Sequence, residues 1–117
     1  MNDIRKPPKI KILEKDVTKS VRSYLKAIGM FHWKVWQGLG STKGVSDIIA
    51  LHRGTAIFIE IKTPIGKLSP DQRRFLQDVN NNGGLGVVVR SVSDIMDIII
   101  KTRTGIPFSQ IREEYAS

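Results

Sequence analysis

A glutamate and a lysine close an apolar run in the middle of the chain. The run extends from Thr55 to Lys62 and is rich in β-branched residues, which predicts a strand. Because side chains alternate across a strand, Glu60 and Lys62 share one face and stand about 6–7 Å apart. Charges in such a run need partners, which favours a site. An edge strand with two solvated charges explains the same pattern, so this pair alone is a weak indication of catalysis.

Asp47 begins the preceding apolar run, directly after a glycine-rich loop of residues 37–45. A turn at Arg53-Gly54 folds this run back as a β-hairpin, which places Asp47 opposite the end of the strand that carries Glu60. Two carboxylates can then converge on one divalent cation. Mg²⁺ takes oxygen ligands and keeps several waters, and the backbone carbonyl of Ile61 is a further candidate ligand.

The next helix begins with a strong capping signal. Ser69 is the predicted N-cap, Pro70 fits the first helical position, and Gln72 completes a capping box. Gln72 also precedes Phe75 and Leu76 by three and four residues, so its side chain faces the sheet. Capping alone accounts for a glutamine at this position, and a role in the site is the alternative.

The remaining patterns predict the elements that position these residues. An amphipathic helix extends from Leu13 to Ile28 and ends at Gly29. Further elements are a strand over residues 31–36, a buried strand over 85–89 and a helix capped by Ser91 or Ser93. The order α-β-β-β-α-β-α predicts one α/β domain, residues 1–117, with a central mixed sheet flanked by helices.

The composition favours a polyanionic partner. The 117 residues carry 19 Lys and Arg against 11 Asp and Glu, a net charge of +8, which is typical of nucleic-acid binding. The absence of cysteine excludes disulfide scaffolds, thiolate zinc sites and cysteine nucleophiles. No apolar run approaches the roughly 20 residues that a membrane span needs. We therefore expect a soluble intracellular protein with no membrane contact.

Cations and apolar residues at three further places remain open to two interpretations. The first helix carries a basic face, solvated or turned to phosphate, formed by Lys15, Lys19, Arg22 and Lys26. Residues 1–12 form a basic arm in which Lys6 and Lys9 contact DNA or remain in solvent. The tail, residues 106–117, includes a possible short helix over 109–115; its apolar residues cover the core or supply a dimer contact. Those residues are Ile106, Phe108, Ile111 and Tyr115.

Three segments together resemble the virus-type replication-repair nuclease (VRR-NUC) domain of the PD-(D/E)xK nuclease superfamily. They are Gly44-Val45-Ser46-Asp47, Ile59-Glu60-Ile61-Lys62-Thr63-Pro64 and Leu68-Ser69-Pro70-Asp71-Gln72. The resemblance extends from about Glu14 to Asp94, with loop, hairpin and helix start in the family's order. Ser46 stands where the superfamily motif has proline, a residue that shapes the turn and binds no metal. The resemblance implies a restriction-endonuclease-like core.

The resemblance also implies roles for individual residues. Asp47 and Glu60 would bind metal, Lys62 would be the catalytic lysine and Gln72 would assist. Glu14 occupies the place of the family's acidic residue on the first helix, although an acidic residue is also favourable in any first helical turn. Lys43 in the glycine-rich loop and Lys67 lie beside the site in sequence and are candidate phosphate contacts.

The expected function is Mg²⁺-dependent cleavage of branched DNA, with Mn²⁺ as a substitute. Small stand-alone members of this family are similar to junction-resolving enzymes that act as two-fold dimers, which predicts a homodimer that cuts four-way junctions in a bacterial or phage-infected cytoplasm. Two alternatives stay open. One is a non-catalytic nucleic-acid-binding module with the same fold, and the other is an RNA-associated protein that needs no metal.

Overall fold

The computed structural model describes residues 11–36, 38 and 42–117. Within them the predicted order is confirmed, and a short helix follows at the C-terminus. Residues 1–10 of the basic arm, which include Lys6 and Lys9, lie outside the described residues. No helix of the described part is long and apolar enough to cross a membrane. The elements are α1 (Glu14–Ala27), β1 (His32–Lys34), β2 (Ile48–His52), β3 (Thr55–Ile61), α2 (Pro70–Asn81), β4 (Leu85–Val89), α3 (Val92–Arg103) and α4 (Phe108–Glu114).

The four strands form one mixed sheet in the order β1-β2-β3-β4. β1 pairs antiparallel with β2, and β2 pairs antiparallel with β3 across the predicted turn at Arg53-Gly54. β4 lies parallel to β3, with Ile61 opposite Val89. β1 is shorter than the predicted strand 31–36, although the Phe31 carbonyl and the Val35 N–H still hydrogen-bond to Leu51 and Asp47. The carboxyl ends of β3 and β4 therefore meet at one edge of the sheet.

The two faces of β3 differ completely in chemistry. Ile57, Ile59 and Ile61 are at most 1% exposed and pack into the core between the sheet and helices α1 and α3. The opposite face carries Phe58, whose ring meets Phe75 of α2 with centroids 5.9 Å apart. The alternation predicted from sequence is confirmed, and it delivers Glu60 to the face that α2 covers.

Local signals set the helix boundaries. The Ser69 hydroxyl accepts a hydrogen bond from the Gln72 backbone N–H at 3.1 Å, and Pro70 opens α2 as predicted. Ser91, rather than Ser93, caps α3. Gly29 follows α1 with φ +71°, a conformation that favours glycine. Each boundary thus follows from residues within one helical turn of it.

The C-terminal tail packs on its own chain. Ile111 is fully buried, and Ile106, Phe108 and Tyr115 are partly buried against the same core. The backbone N–H of Val88 donates to the Tyr115 carbonyl at 2.9 Å. Of the two roles that the sequence left open for these apolar residues, the structure shows the cover of the monomer's own core, which removes their apolar surface from water. A dimer contact through the tail stays a prediction.

Candidate active site

Asp47 is anchored at the edge of the sheet where β3 ends. Its backbone N–H donates to the Ile59 carbonyl at 3.1 Å, which continues the β2–β3 ladder by one residue. Its carboxylate Oδ2 accepts a hydrogen bond from the Ile61 backbone N–H at 2.7 Å. The predicted position of Asp47, opposite the end of the strand that carries Glu60, is confirmed.

The backbone of Ile61 also faces this place. The N–H and C=O groups of one strand residue point towards the same neighbouring strand. Because the Ile61 N–H reaches the Asp47 carboxylate, the Ile61 carbonyl lies on the same side of β3. A carbonyl oxygen is thus available beside two carboxylates, as a ligand role for Ile61 requires.

Glu60 is a buried acid whose charge is poorly satisfied. Its side chain is 2% exposed, and Oε2 is buried without a hydrogen-bond partner. Burial, followed by the negative charge of Asp47, raises the pKa of Glu60 to about 9, while Lys62 opposes the shift. At neutral pH this carboxyl therefore holds a proton unless another positive charge replaces it.

These donors fit a hard divalent cation. Two neighbouring carboxylates repel each other, and a cation between them would neutralise both while the free Oε2 of Glu60 supplies a coordinating oxygen. The described residues contain no cluster of three or more Asp, Glu or His arranged to hold a metal. Mg²⁺ needs no such cluster, since one or two carboxylates, several waters and substrate phosphate complete its octahedron.

Gln72 caps α2 as predicted and also contacts the candidate site, while its assistance in catalysis stays a prediction. Its Oε1 accepts a hydrogen bond from the Ser69 backbone N–H at 2.9 Å, which closes the capping box. Its Nε2 donates to Glu60 Oε1, also at 2.9 Å. One amide therefore fixes the start of α2 and the orientation of the buried carboxyl.

Lys62 and Glu14 meet at the margin of the site. The Lys62 Nζ lies 3.8 Å from Glu14 Oε1, with the lysine side chain 11% exposed and the glutamate side chain 54% exposed. Glu14 is the first residue of α1, and its charge adds slightly to the rise in the pKa of Glu60. The structure thus brings Glu14 to the site, where its contact is with the lysine; its role as a metal ligand stays a prediction.

The end of the glycine-rich loop packs against the first turn of α2. Gly44 has φ +73°, and a Cβ atom there would lie 2.2 Å from the Asp71 carbonyl oxygen. This glycine thus permits the close approach of the protein's own backbone. Lys43, on this turn, and Lys67, ahead of Ser69, are both exposed.

Arg90 is a site-supporting residue that sequence reasoning missed. Its Nη1 donates to the carbonyls of Thr63 and Gly66, at 2.6 and 2.7 Å, and so closes the loop that follows Lys62. Arg90 directly follows β4, whose last residue pairs with Ile61. The sequence held no local signal for these contacts, because the two carbonyls lie 27 and 24 residues away.

Comparisons with known proteins agree on one family. The VRR-NUC domain family model matches residues 11–93. A solved VRR-NUC domain is 27% identical, with a TM-score of 0.63, and the match covers 74% of this chain and 92% of that one. The fold is also shared with Hjc from Archaeoglobus fulgidus, a Holliday junction resolvase, at 21% identity and TM-score 0.52, over 66% and 67% of the two chains. A search of curated proteins finds no match.

The family match and the site coincide. The matched residues include the hairpin, the strand that ends in Glu60 and Lys62, and the α2 start with Gln72. They also include α1, which brings Glu14 to Lys62. The chain belongs to the VRR-NUC nuclease family and has its restriction-endonuclease-like α/β fold.

Proposed function

We propose that this protein is a metal-dependent endonuclease that hydrolyses phosphodiesters in branched DNA, with Mg²⁺ as cofactor and Mn²⁺ as a substitute. The observation that carries the proposal is the buried Glu60, whose Oε2 has no partner and whose pKa is raised to about 9 beside Asp47. A protein does not gain stability from such an arrangement, and strongly perturbed carboxyls are typical of functional sites.

Asp47, Glu60 and the Ile61 carbonyl are the residues that would hold the cation. When bound, such an ion would polarise the phosphoryl oxygen and make water more acidic. Gln72 keeps one oxygen of Glu60 fixed by its amide hydrogen bond. The other oxygen, Oε2, has no hydrogen-bond partner and is the one that would bind the ion.

Lys62 supplies positive charge next to the reacting phosphate. Its ammonium orients the attacking water or stabilises the negative charge that grows on the phosphoryl oxygens. The ion pair with Glu14 and the loop held by Arg90 restrict where this flexible side chain points. Preorganised charge of this kind is effective because it needs no rearrangement during the reaction.

Branched DNA is the substrate class that the features of the chain favour. The charge of +8 supports phosphate contacts, which give affinity without sequence information. Lys43 and Lys67 are exposed, Lys43 beside Gly44, which meets the first turn of α2, and Lys67 two residues before its N-cap, so both are candidate phosphate contacts. The fold shared with the archaeal resolvase Hjc makes the four-way junction the first substrate to test.

The proposed two-fold dimer has a second candidate surface besides the tail. On the sheet face opposite α1, the edge formed by β1 and β2 exposes Phe31 (67%), Trp33 (40%) and Leu51 (45%). Such apolar patches mark interfaces. Light scattering at micromolar concentration should give a dimeric mass that Trp33→Glu reduces to a monomer; a monomeric wild-type mass would refute the dimer.

Cleavage of a substrate panel tests the activity. Labelled four-way junctions, flaps, splayed arms and linear duplex are incubated with Mg²⁺, Mn²⁺, Ca²⁺ or EDTA. We expect products from branched DNA with Mg²⁺ and Mn²⁺, and binding without turnover with Ca²⁺. Full activity in EDTA contradicts the metal dependence. Tight binding without cleavage under every condition would instead establish the alternative, a non-catalytic module.

A further inference from the structure

An open groove of about 760 Å³ runs beside α1 and reaches the candidate active site. One wall is α1, from Glu14 to Lys26, a length of about 18 Å at the helical rise. The other wall is the edge strand β1, through His32 and Lys34, and Asp47 also lines the groove. We call this surface the cation groove, after the lysines and the arginine along α1. The mechanism proposed above uses only the end of the groove at Asp47.

The α1 wall carries a continuous stripe of positive charge. Its four cations follow each other at steps of four, three and four residues, so they share one helix face, and all are exposed. Like charges at this spacing destabilise a helix, a cost that an anion along the groove removes. The opposite face of α1 is the buried one. The stripe consists of Lys15, Lys19, Arg22 and Lys26.

An exposed aromatic ring lies where the groove meets the site. Trp36 is 76% exposed and lines a recess together with Lys34 and Asp47, both of which also line the cation groove. The outer edge of its six-membered ring occupies the space that a Cβ atom on Gly38 would need. The ring is thus held against backbone while most of its surface faces solvent.

We propose that the cation groove binds an unpaired DNA strand, with phosphates along α1 and a base stacked on Trp36. Positively charged grooves with accessible aromatic rings are characteristic of single-strand binding, because every unpaired base offers a π-face. A paired base inside a duplex is already stacked and cannot use the ring. The inference rests on the proposed function in one respect. In a nuclease that cuts branched DNA, the groove would hold a single-stranded arm of the substrate and direct it away from the point of cleavage.

Binding measurements in EDTA test the proposal apart from cleavage. Anisotropy of labelled oligo(dT) and of a blunt hairpin duplex is followed against salt concentration. Lys19→Gln with Arg22→Gln should reduce the oligo(dT) salt slope by about 1.4, or about 0.7 for each lost phosphate contact. Trp36→Ala should weaken oligo(dT) binding by roughly 5- to 100-fold, leave duplex binding unchanged, and be largely rescued by Trp36→Phe.

A matched control removes the same charge elsewhere. Arg53 and Arg103 are exposed, and both act electrostatically on His52, at the end of β2 opposite Asp47. Arg53→Gln with Arg103→Gln should leave the oligo(dT) slope unchanged. In a Trp33→Phe background, oligo(dT) should also quench the fluorescence of Trp36. Thermal melts of all variants separate binding losses from unfolding.

Two results would overturn the inference. One is an unchanged oligo(dT) affinity in Trp36→Ala together with no quenching. The other is an equal loss of slope in the groove variant and its control, which would assign the effect to net charge. These measurements need no turnover, so they test the groove even when the cleavage panel shows no nuclease activity. Conversely, cleavage by a protein whose groove does not bind oligo(dT) would refute only this inference.

Discussion

Two clusters of charged residues hold their charges in opposite ways. Where α3 meets α4, Lys101 pairs with both Asp97, at 2.8 Å, and Glu114, and the Tyr115 hydroxyl donates to Asp97. Hydrogen bonding to Lys101 lowers the pKa of Asp97, and bonding to Asp97 raises the pKa of Lys101. At the candidate site, burial raises the pKa of Glu60 to about 9. The α3–α4 cluster thus stabilises the charged forms of its residues, whereas burial at the candidate site disfavours the charged form of Glu60.

The difference separates structure from function. The α3–α4 cluster joins the C-terminal helix to the fold, and its hydrogen bonds favour the charged forms of Asp97 and Lys101. The site keeps a buried oxygen without a partner, which costs folding free energy. A ligand that satisfies this oxygen explains why the arrangement exists, and the predictions below alter one cluster while using the other as a reference.

The largest expected effect is on cleavage. Asp47→Asn and Glu60→Gln should each reduce the rate by about a thousandfold or more, because each removes a ligand of the cation that stabilises the developing charge. DNA binding should be unchanged or tighter, since a negative charge near phosphate is lost. Lys101→Gln, in the α3–α4 cluster, should leave the cleavage rate unchanged. Unfolding of both site variants in thermal melts would instead make these carboxyls structural.

The second prediction concerns stability against pH without metal. Glu60 has a higher pKa when folded than its ordinary value of 4.5, so the folded protein binds the extra proton between that value and about 9. Its contribution to stability is therefore complete below 4.5 and is lost as pH rises to 9. Thermal melts in EDTA should show the stability of Glu60→Gln rising relative to that of the wild type as the pH increases over this range. A constant difference would mean that Glu60 is not perturbed.

The third prediction separates a steric requirement from a conformational one. Gly44 and Gly83 both have positive φ, but only at Gly44 would a Cβ atom collide with backbone, at the start of α2. Gly83→Ala should cost about 1–2 kcal/mol of unfolding free energy from conformation alone. Gly44→Ala should cost more and also slow cleavage, because it displaces the helix that carries Gln72. Equal losses in both would show that the contact is unimportant.

The smallest expected effect is at the α3–α4 cluster. Asp97→Asn should lower the melting temperature by about two degrees at pH 7, as expected for an exposed ion pair. The pKa of Asp97 is lowered in the fold, so the wild-type advantage is present above the ordinary value of 3.8 and disappears as pH falls through the lowered one. An advantage that persists at pH 2 would assign it to packing.

Local patterns predicted the parts of the site that depend on neighbours in sequence. The alternation of residues 55–62 placed Glu60 and Lys62 on one face, and the turn at Arg53-Gly54 brought Asp47 opposite them. The capping signal at Ser69 located the start of α2, and thereby Gln72. Each of these needs only strand or helix geometry over a few residues.

The parts that local patterns did not predict depend on contacts between distant segments. Arg90 reaches carbonyls 24 and 27 residues away, and no local pattern distinguishes it from a surface arginine. The sequence left open whether Ile111 covers the core or contacts a partner subunit, and the packing of α4 on the core shows it fully buried. Ser46 is likewise fully buried with an unpartnered hydroxyl where the superfamily has proline, which sequence alone did not indicate.

One measurement tests most directly whether the site, where burial disfavours the charged form of Glu60, binds a cation. Mn²⁺ is titrated into the protein by calorimetry at pH 7, in two buffers with different ionisation enthalpies. Because Glu60 is protonated there without metal, binding should release about one proton per ion. Glu60→Gln should release none. Binding without proton release by the wild type, or equal release by both proteins, would contradict the account.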